Sequence, residues 1–135
     1  MADDAGVTRT DVELPVDGSL VRAWWYRPGR SGPHPTVVMA HGFAGVKAAG
    51  LDAYASRFAA AGFAVVAFDY RSFGDSEGRP RQIIDIGRQL EDWEAAIEWA
   101  RTHPEVDPAR LALWGTPFSG GPAPAPPPRP PPNAP

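Results

Sequence analysis

Gly115-Thr116-Pro117-Phe118-Ser119-Gly120-Gly121 is the stretch whose residue types and spacing come closest to covalent chemistry. It follows Leu111-Ala112-Leu113-Trp114, an apolar run suited to a buried strand. A strand that runs into a Gly-x-Ser-x-Gly turn holds a serine on a strained bend, with its hydroxyl exposed for attack on an acyl carbon. Counted from Gly115, the serine position falls on Pro117. Proline offers no hydroxyl, thiol or carboxylate. Ser119 is the hydroxyl nearby, but Pro117 stands where a small residue should lead it. Ser119 therefore reads either as a displaced nucleophile or as a small residue packing the turn, and the second reading is favoured.

Other polar residues carry weaker signals. Asp69, Asp75 and Glu77 share a glycine-containing loop. Their spacing is loose for a metal site, and turn chemistry accounts for acidic residues there, so no metal and no cofactor is expected. Arg71 is expected to bond loop carbonyls or Asp69. His34 and His103 each adjoin a proline and are expected to be solvated.

The elements that must position these residues follow from periodicity. Thr8 to Leu14 and Leu20 to Tyr26 read as two strands joined by a turn at residues 16–19, an antiparallel hairpin. Thr36 to Ala40 and Phe63 to Phe68 are short apolar runs without alternation, as in parallel strands covered on both faces. Between them, Ala49 to Ala61 predicts a helix with Leu51, Tyr54, Ala55, Phe58 and Ala59 on one face, stopped by Gly62. Asp69 to Pro80 predicts a long turn-rich loop. Gln82 to Arg101 predicts a second helix, with Ile83, Ile86, Leu90, Trp93, Ile97 and Ala100 spaced three and four apart. Trp93 is placed in the core and Trp99 on the helix edge. The next strand is expected from Leu111. Strand, helix, strand, helix, strand makes two βαβ units on one parallel sheet, an α/β fold.

Composition narrows the classes of function. The 135 residues are 43% hydrophobic and carry a net charge of −3. That balance suits a globular body and gives no electrostatic reason to bind nucleic acid or an anionic membrane. Without cysteine there is no disulfide framework and no thiolate metal site. The start, Met1-Ala2-Asp3-Asp4-Ala5, is acidic and unlike a signal peptide. No apolar run approaches the ~20 residues of a membrane helix. The default expectation is a soluble, cytoplasmic protein.

Four segments, in order, resemble the N-terminal half of an α/β-hydrolase. They are His41-Gly42-Phe43, Gly62-Phe63 leading to a strand that ends at Asp69, the loop Asp69-Tyr70-Arg71-Ser72-Phe73-Gly74-Asp75-Ser76-Glu77-Gly78, and the strand and turn from Leu111 to Gly121. The loop is similar to the family's D-x-R-G-x-G-x-S. The resemblance is to the dienelactone-hydrolase, dipeptidyl-peptidase-like and serine-aminopeptidase branches and covers residues 8 to 121. It implies a serine hydrolase acting on small-molecule ester or peptide bonds. The backbone N–H groups of Phe43 and Phe118 would form the oxyanion hole, each worth roughly 3–4 kcal/mol of barrier. His41, Gly42, Asp69 and Arg71 would be structural loop residues. Pro117 would occupy the nucleophile position. The family's acid and histidine follow the elbow, and no histidine follows His103 in these residues. The chain is therefore expected to be truncated and catalytically inactive.

Residues 122–135 read Pro-Ala-Pro-Ala-Pro-Pro-Pro-Arg-Pro-Pro-Pro-Asn-Ala-Pro, which cannot supply the helix that follows an elbow. The expected organisation is a hydrolase domain over 1–121 and a disordered Pro-rich tail over 122–135. Its Pro-x-x-Pro spacings around Arg129 would suit an SH3-type partner. A non-catalytic binding module using the tail or a residual cleft is the alternative function. Apart from Asn133, residues 120–135 are all Gly, Pro, Ala or Arg. GC-rich codons read out of frame would produce that composition, with the frame lost near the elbow. The family's strand order also places a further strand beyond Leu111, so Leu111, Leu113 and Trp114 are expected to lose cover.

Overall fold

Asp17 and Gly18 turn the chain between β1 (Thr8–Val16) and β2 (Ser19–Arg27), both with positive φ, in a computed structural model that describes residues 6–41, 47, 50–81 and 85–115. An Asp-Gly pair tolerates those angles, and a two-residue turn of this kind matches the twist of the strands it joins. Cα pairing from Val16–Ser19 to Thr8–Arg27 makes the hairpin antiparallel, as expected. The chain continues as β3 (His34–Ala40), α1 (Leu51–Ala60), β4 (Ala64–Phe68), α2 (Ile86–Thr102) and β5 (Val106–Gly115). The sheet order is β1-β2-β4-β3-β5. β2 runs antiparallel to β4, and β3 runs parallel to both β4 and β5. This is the hairpin followed by parallel βαβαβ that the sequence predicts.

The missing alternation in β3 and β4 has a direct cause. Val65 and Ala67 pack with Val37, Met39, Leu51, Ala55 and Ala59 on the α1 side. Val66 and Phe68 pack with Val38, Trp93, Ala96 and Ala100 on the α2 side. With helices on both faces, no position on β4 meets water. Burying each large apolar side chain contributes about 1.5–3 kcal/mol. Alanines at 55, 59, 96 and 100 bring both helices close to the sheet.

Several boundaries and faces differ from expectation. α1 begins at Leu51 rather than Ala49, and Tyr54 is exposed. α2 begins at Ile86; Asp85 caps it, its carboxylate accepting from the Arg88 amide at 3.1 Å. Ile83 lies outside the described residues. The buried face of α2 is Gln89, Asp92, Trp93, Ala96 and Ala100, while Ile86 is exposed. Asp92 on this face lies beneath the loop that follows β4, where it accepts from Arg71. β5 begins at Val106, not Leu111. Val106 pairs with His34, and the Pro108 segment is absorbed by a register shift before Thr36 meets Leu111.

His34 is buried, against expectation. Its amide donates to the Glu105 carbonyl at 2.8 Å. Its pairing in the sheet takes it out of water. His103 is half-buried, its ring 4.5 Å from Trp25 and 5.0 Å from Trp99. Among the described residues β5 ends the sheet. Leu111 stays buried, whereas Leu113 and Trp114 are half-buried. No helix among the described residues is long and apolar enough to cross a membrane.

Candidate active site

The register aligns the ends of the three parallel strands. Ala40 of β3 is the Cα partner of Phe68 on β4 and of Gly115 on β5. His41, Asp69 and Gly115 therefore stand at one level, at the carboxyl ends of the parallel strands. In open α/β sheets ligands bind outside the carboxyl ends of the strands. These positions stand together because β3, β4 and β5 run in the same direction.

Asp69 organises the edge. Its side chain is 1% exposed. One carboxylate oxygen accepts from the Lys47 amide at 2.6 Å. The other accepts from the Lys47 ammonium at 3.0 Å and the Asp75 amide at 2.9 Å. Gly74 leaves room for it: a Cβ there would lie 2.2 Å from that oxygen. The Lys47 ammonium also reaches Asp75 at 2.8 Å, which holds the Asp75 carboxyl below its usual range. Asp69 and Asp75 thus share an internal cation. Glu77 turns away, its carboxylate accepting from the Leu20 amide at 3.0 Å.

The loop after β4 is fastened at both ends. The Ser76 hydroxyl donates to the Asp69 carbonyl at 2.7 Å and accepts from the Arg22 amide at 2.7 Å, and the Glu77 amide donates to the Leu20 carbonyl at 2.8 Å. These bonds carry the loop along the start of β2. Arg81 donates to the carbonyls of Ser76, Gly74 and Gly78.

Arg71 does not bond Asp69. Its Nε donates to Asp92 at 2.6 Å and its amide to the other Asp92 oxygen at 2.8 Å. One terminal nitrogen donates to Glu91 at 2.7 Å and to the Arg88 carbonyl at 3.0 Å. The correction follows from geometry: Lys47 saturates Asp69, and Arg71 points towards α2. Burial pushes the Asp92 carboxyl up, to about 6, against the pull of the Arg71 amide and guanidinium. Beside this pair the Trp93 indole donates to the Tyr70 hydroxyl at 2.9 Å.

His41 is half-buried at the end of β3. Gly42, Phe43, Pro117, Phe118 and Ser119 lie outside the described residues, as does the tail from 122 to 135. What is described are the stems that carry them. A cavity of about 260 Å³ lies beside the Lys47–Asp75 pair, between the hairpin and the β4 loop, and includes Asp11, Glu13 and Arg22. Sequence reasoning missed Lys47 and Asp92. Lys47 is a lone charge in a run of small and apolar residues, Ala44-Gly45-Val46-Lys47-Ala48-Ala49. Asp92 stands on the helical face of Gln89, Trp93 and Ala96. A charge in an apolar context was the available signal in both cases.

The profile of the X-Pro dipeptidyl-peptidase (S15) family matches residues 17–132. The quorum-quenching protein AidA of Acinetobacter baumannii is 50% identical over 111 residues, which are 82% of this chain and 36% of that protein. The thiohydrolase aneE of Aspergillus aculeatus is 40% identical over 122 residues, 90% of this chain and 38% of that one. The crystal structure of the alpha/beta hydrolase GrgF from Penicillium superposes with a TM-score of 0.75 at 35% identity, covering 80% of this chain and 37% of that one. The chain thus spans little more than a third of these relatives. With the sheet order, the aligned strand ends and the family profile in agreement, the chain belongs to the X-Pro dipeptidyl-peptidase (S15) family of α/β-hydrolases.

Proposed function

We propose that these residues are the N-terminal framework of an acyl-transfer hydrolase acting on small-molecule ester or amide bonds, with proline at the nucleophile position. The observation that carries the reading is the alignment of Ala40, Phe68 and Gly115. It brings the stems of the His41 loop, the Asp69 loop and the elbow to one edge. In this reading the amides of Phe43 and Phe118 receive the developing oxyanion, and His41, Gly42, Asp69 and Arg71 hold the loops. Position 117 is where a serine would carry the acyl group. The thiohydrolase and the polyketide transferases among the relatives are consistent with acyl chemistry.

Proline at 117 cannot form an acyl-enzyme. In a serine protease, removing the nucleophile alone costs roughly 10⁶-fold in turnover, so the chain as written is proposed to be inactive, with Ser119 packing the turn. The test is hydrolysis of a p-nitrophenyl short-chain ester by this chain and by Pro117→Ser, with fluorophosphonate labelling of both. Labelling or turnover in Pro117→Ser alone would support the reading, and inertness in both would trace the loss to the acid and histidine that follow the elbow in the family. Turnover by the unaltered chain, lost on Ser119→Ala, would reject it.

The second reading is a non-catalytic binding module. The polar cavity beside Lys47 and Asp75 favours it, as do the Pro-x-x-Pro spacings of the tail beyond residue 121. Saturable binding of an SH3 domain to the chain, lost on Arg129→Ala, would support that reading.

A further inference from the structure

β1 lies at the margin of the sheet, and among the described residues no strand pairs with its outer side. The hydrogen-bonding phase of the hairpin shows which groups face outward. On β2 the main chains of Leu20 and Arg22 bond away from β1. The Leu20 amide donates to the Glu77 carboxylate and the Leu20 carbonyl accepts from the Glu77 amide. The Arg22 amide donates to the Ser76 hydroxyl and the Arg22 carbonyl accepts from the Asp69 amide. Their Cα partners on β1 are Pro15 and Glu13. In an antiparallel pair such positions alternate with hydrogen-bonded ones. Glu13, Asp11 and Arg9 therefore turn their N–H and C=O groups away from β2. Pro15 is in the same phase, where its missing N–H leaves the hairpin intact.

An open row of strand N–H and C=O groups is a template for another strand, and charged side chains commonly guard it. Here the guard has an order of signs: Arg9, Asp11, Glu13. A second copy pairing antiparallel, outward groups to outward groups, places a two-fold axis on one residue. Axes at Arg9, Asp11 or Glu13 set that residue against its own copy, and an axis at Val12 sets Asp11 against Glu13. An axis at Thr10 sets Arg9 of each copy against Asp11 of the other, with the two threonines meeting at the axis. Like charges directly opposite destabilise a strand pair, whereas opposite charges and Thr–Thr pairs stabilise it. Asp11 makes no ion pair among the described residues. Arg9 is 46% exposed, with a 3.3 Å contact to Asp52. Both charges are within reach of a partner strand.

We propose that β1 is a homodimer interface, in which residues 7–13 of two copies of this chain pair antiparallel about Thr10 through reciprocal Arg9–Asp11 contacts. The two sheets then continue into one another. The strip is short and its charges are exposed, so the dimer is weak and salt-sensitive. The inference does not rest on the acyl-transfer reading.

The chain has no cysteine, so Thr10→Cys places a single thiol at the axis, on an exposed position of β1. Opposed Cα atoms in a non-hydrogen-bonded antiparallel pair stand about 4.5 Å apart, within the span that a disulfide bridges. Thr8→Cys, also exposed but off the axis, is the control. Under mild oxidation at low salt, Thr10→Cys should form a disulfide dimer and Thr8→Cys should stay monomeric. Adding Asp11→Arg to Thr10→Cys should slow dimer formation about tenfold, because two attractive pairs become repulsive. That substitution removes no ion pair of the folded chain. Adding Arg9→Asp as well should restore the rate to within about twofold, since the signs are then exchanged and again opposite. Raising salt to about 1 M should slow Thr10→Cys and speed Thr10→Cys/Asp11→Arg, where screening relieves repulsion. Equal cross-linking at positions 8 and 10 would overturn the proposal. So would no cross-linking at either, a rate indifferent to Asp11→Arg, or salt acting in the same direction on both chains.

Discussion

Arg71 and Asp92 meet at 2.6 Å with their side chains 2% and 1% exposed, joining the loop after β4 to the middle of α2. The Arg71 amide donates to the second Asp92 oxygen, so one carboxylate receives both the backbone and the guanidinium of the same residue. Lys47 and Asp69 repeat this arrangement on the same loop. The turn-rich segment after β4 is thus held by two buried carboxylates, one at its start and one on the helix beneath it. This gives a segment without regular structure a defined place at the sheet edge.

Asp92→Ala should destabilise the chain by about 3–5 kcal/mol, because it leaves the Arg71 charge buried without its main partner. Urea unfolding followed by tryptophan fluorescence would measure it. A loss below 1 kcal/mol would mean that Glu91 and the Arg88 carbonyl suffice for Arg71.

Stability should fall in mild acid through His34. Burial, aided by Arg27 and Arg30 and opposed by Glu105, lowers its pKa below the usual 6.5. Its Nε2 has no hydrogen-bond partner among the described residues. The group is neutral in the folded chain, so its contribution is complete above pH ~6.5. It is lost as pH drops through the lowered folded value, at up to about 1.4 kcal/mol per pH unit. His34→Leu should flatten the acid side of the profile, below pH ~6.5. Identical slopes in the two proteins would contradict this.

Gly74→Ala should lower the melting temperature by several degrees. The residue has φ +53, and a Cβ would stand 2.2 Å from an Asp69 oxygen. Lys47 and the Asp75 amide hold that oxygen, so it cannot yield cheaply. Left-handed strain and overpacking together cost at least about 2 kcal/mol. Gly18→Ala, at φ +82 with no atom near its Cβ, is the control for strain alone. Equal losses at the two sites would show that the contact with Asp69 contributes nothing.

The outer edge of β5 should promote self-association of the 135-residue chain. Among the described residues no strand covers it, and Leu113 and Trp114 are half-buried there. Exposed apolar edges pair with other chains, and an added lysine discourages this. Ala112→Lys, at an exposed position on that strand, should lower light scattering at equal concentration. A chain that is already monomeric and unaffected by the substitution would show that the edge is covered.

The strands and helices were legible in the sequence because burial leaves a local record. Uninterrupted apolar runs at 36–40 and 63–68 mark strands covered on both faces, and Asp17-Gly18 marks a tight hairpin. What a sequence does not record is which charge meets which across the fold. Asp69 pairs with Lys47, 22 residues earlier, and Arg71 with Asp92, 21 residues later. The sequence suggested loop carbonyls or Asp69 for Arg71, and nothing for Asp92. His34 beside two prolines looked like a solvated loop residue until its pairing with Val106 placed it in the sheet. Periodicity measures the average polarity of a face. A buried ion pair violates that average at a single position, and the compensation lies on another element. Only the tertiary structure brings the two halves together, so only it decided that the loop edge is anchored by charge.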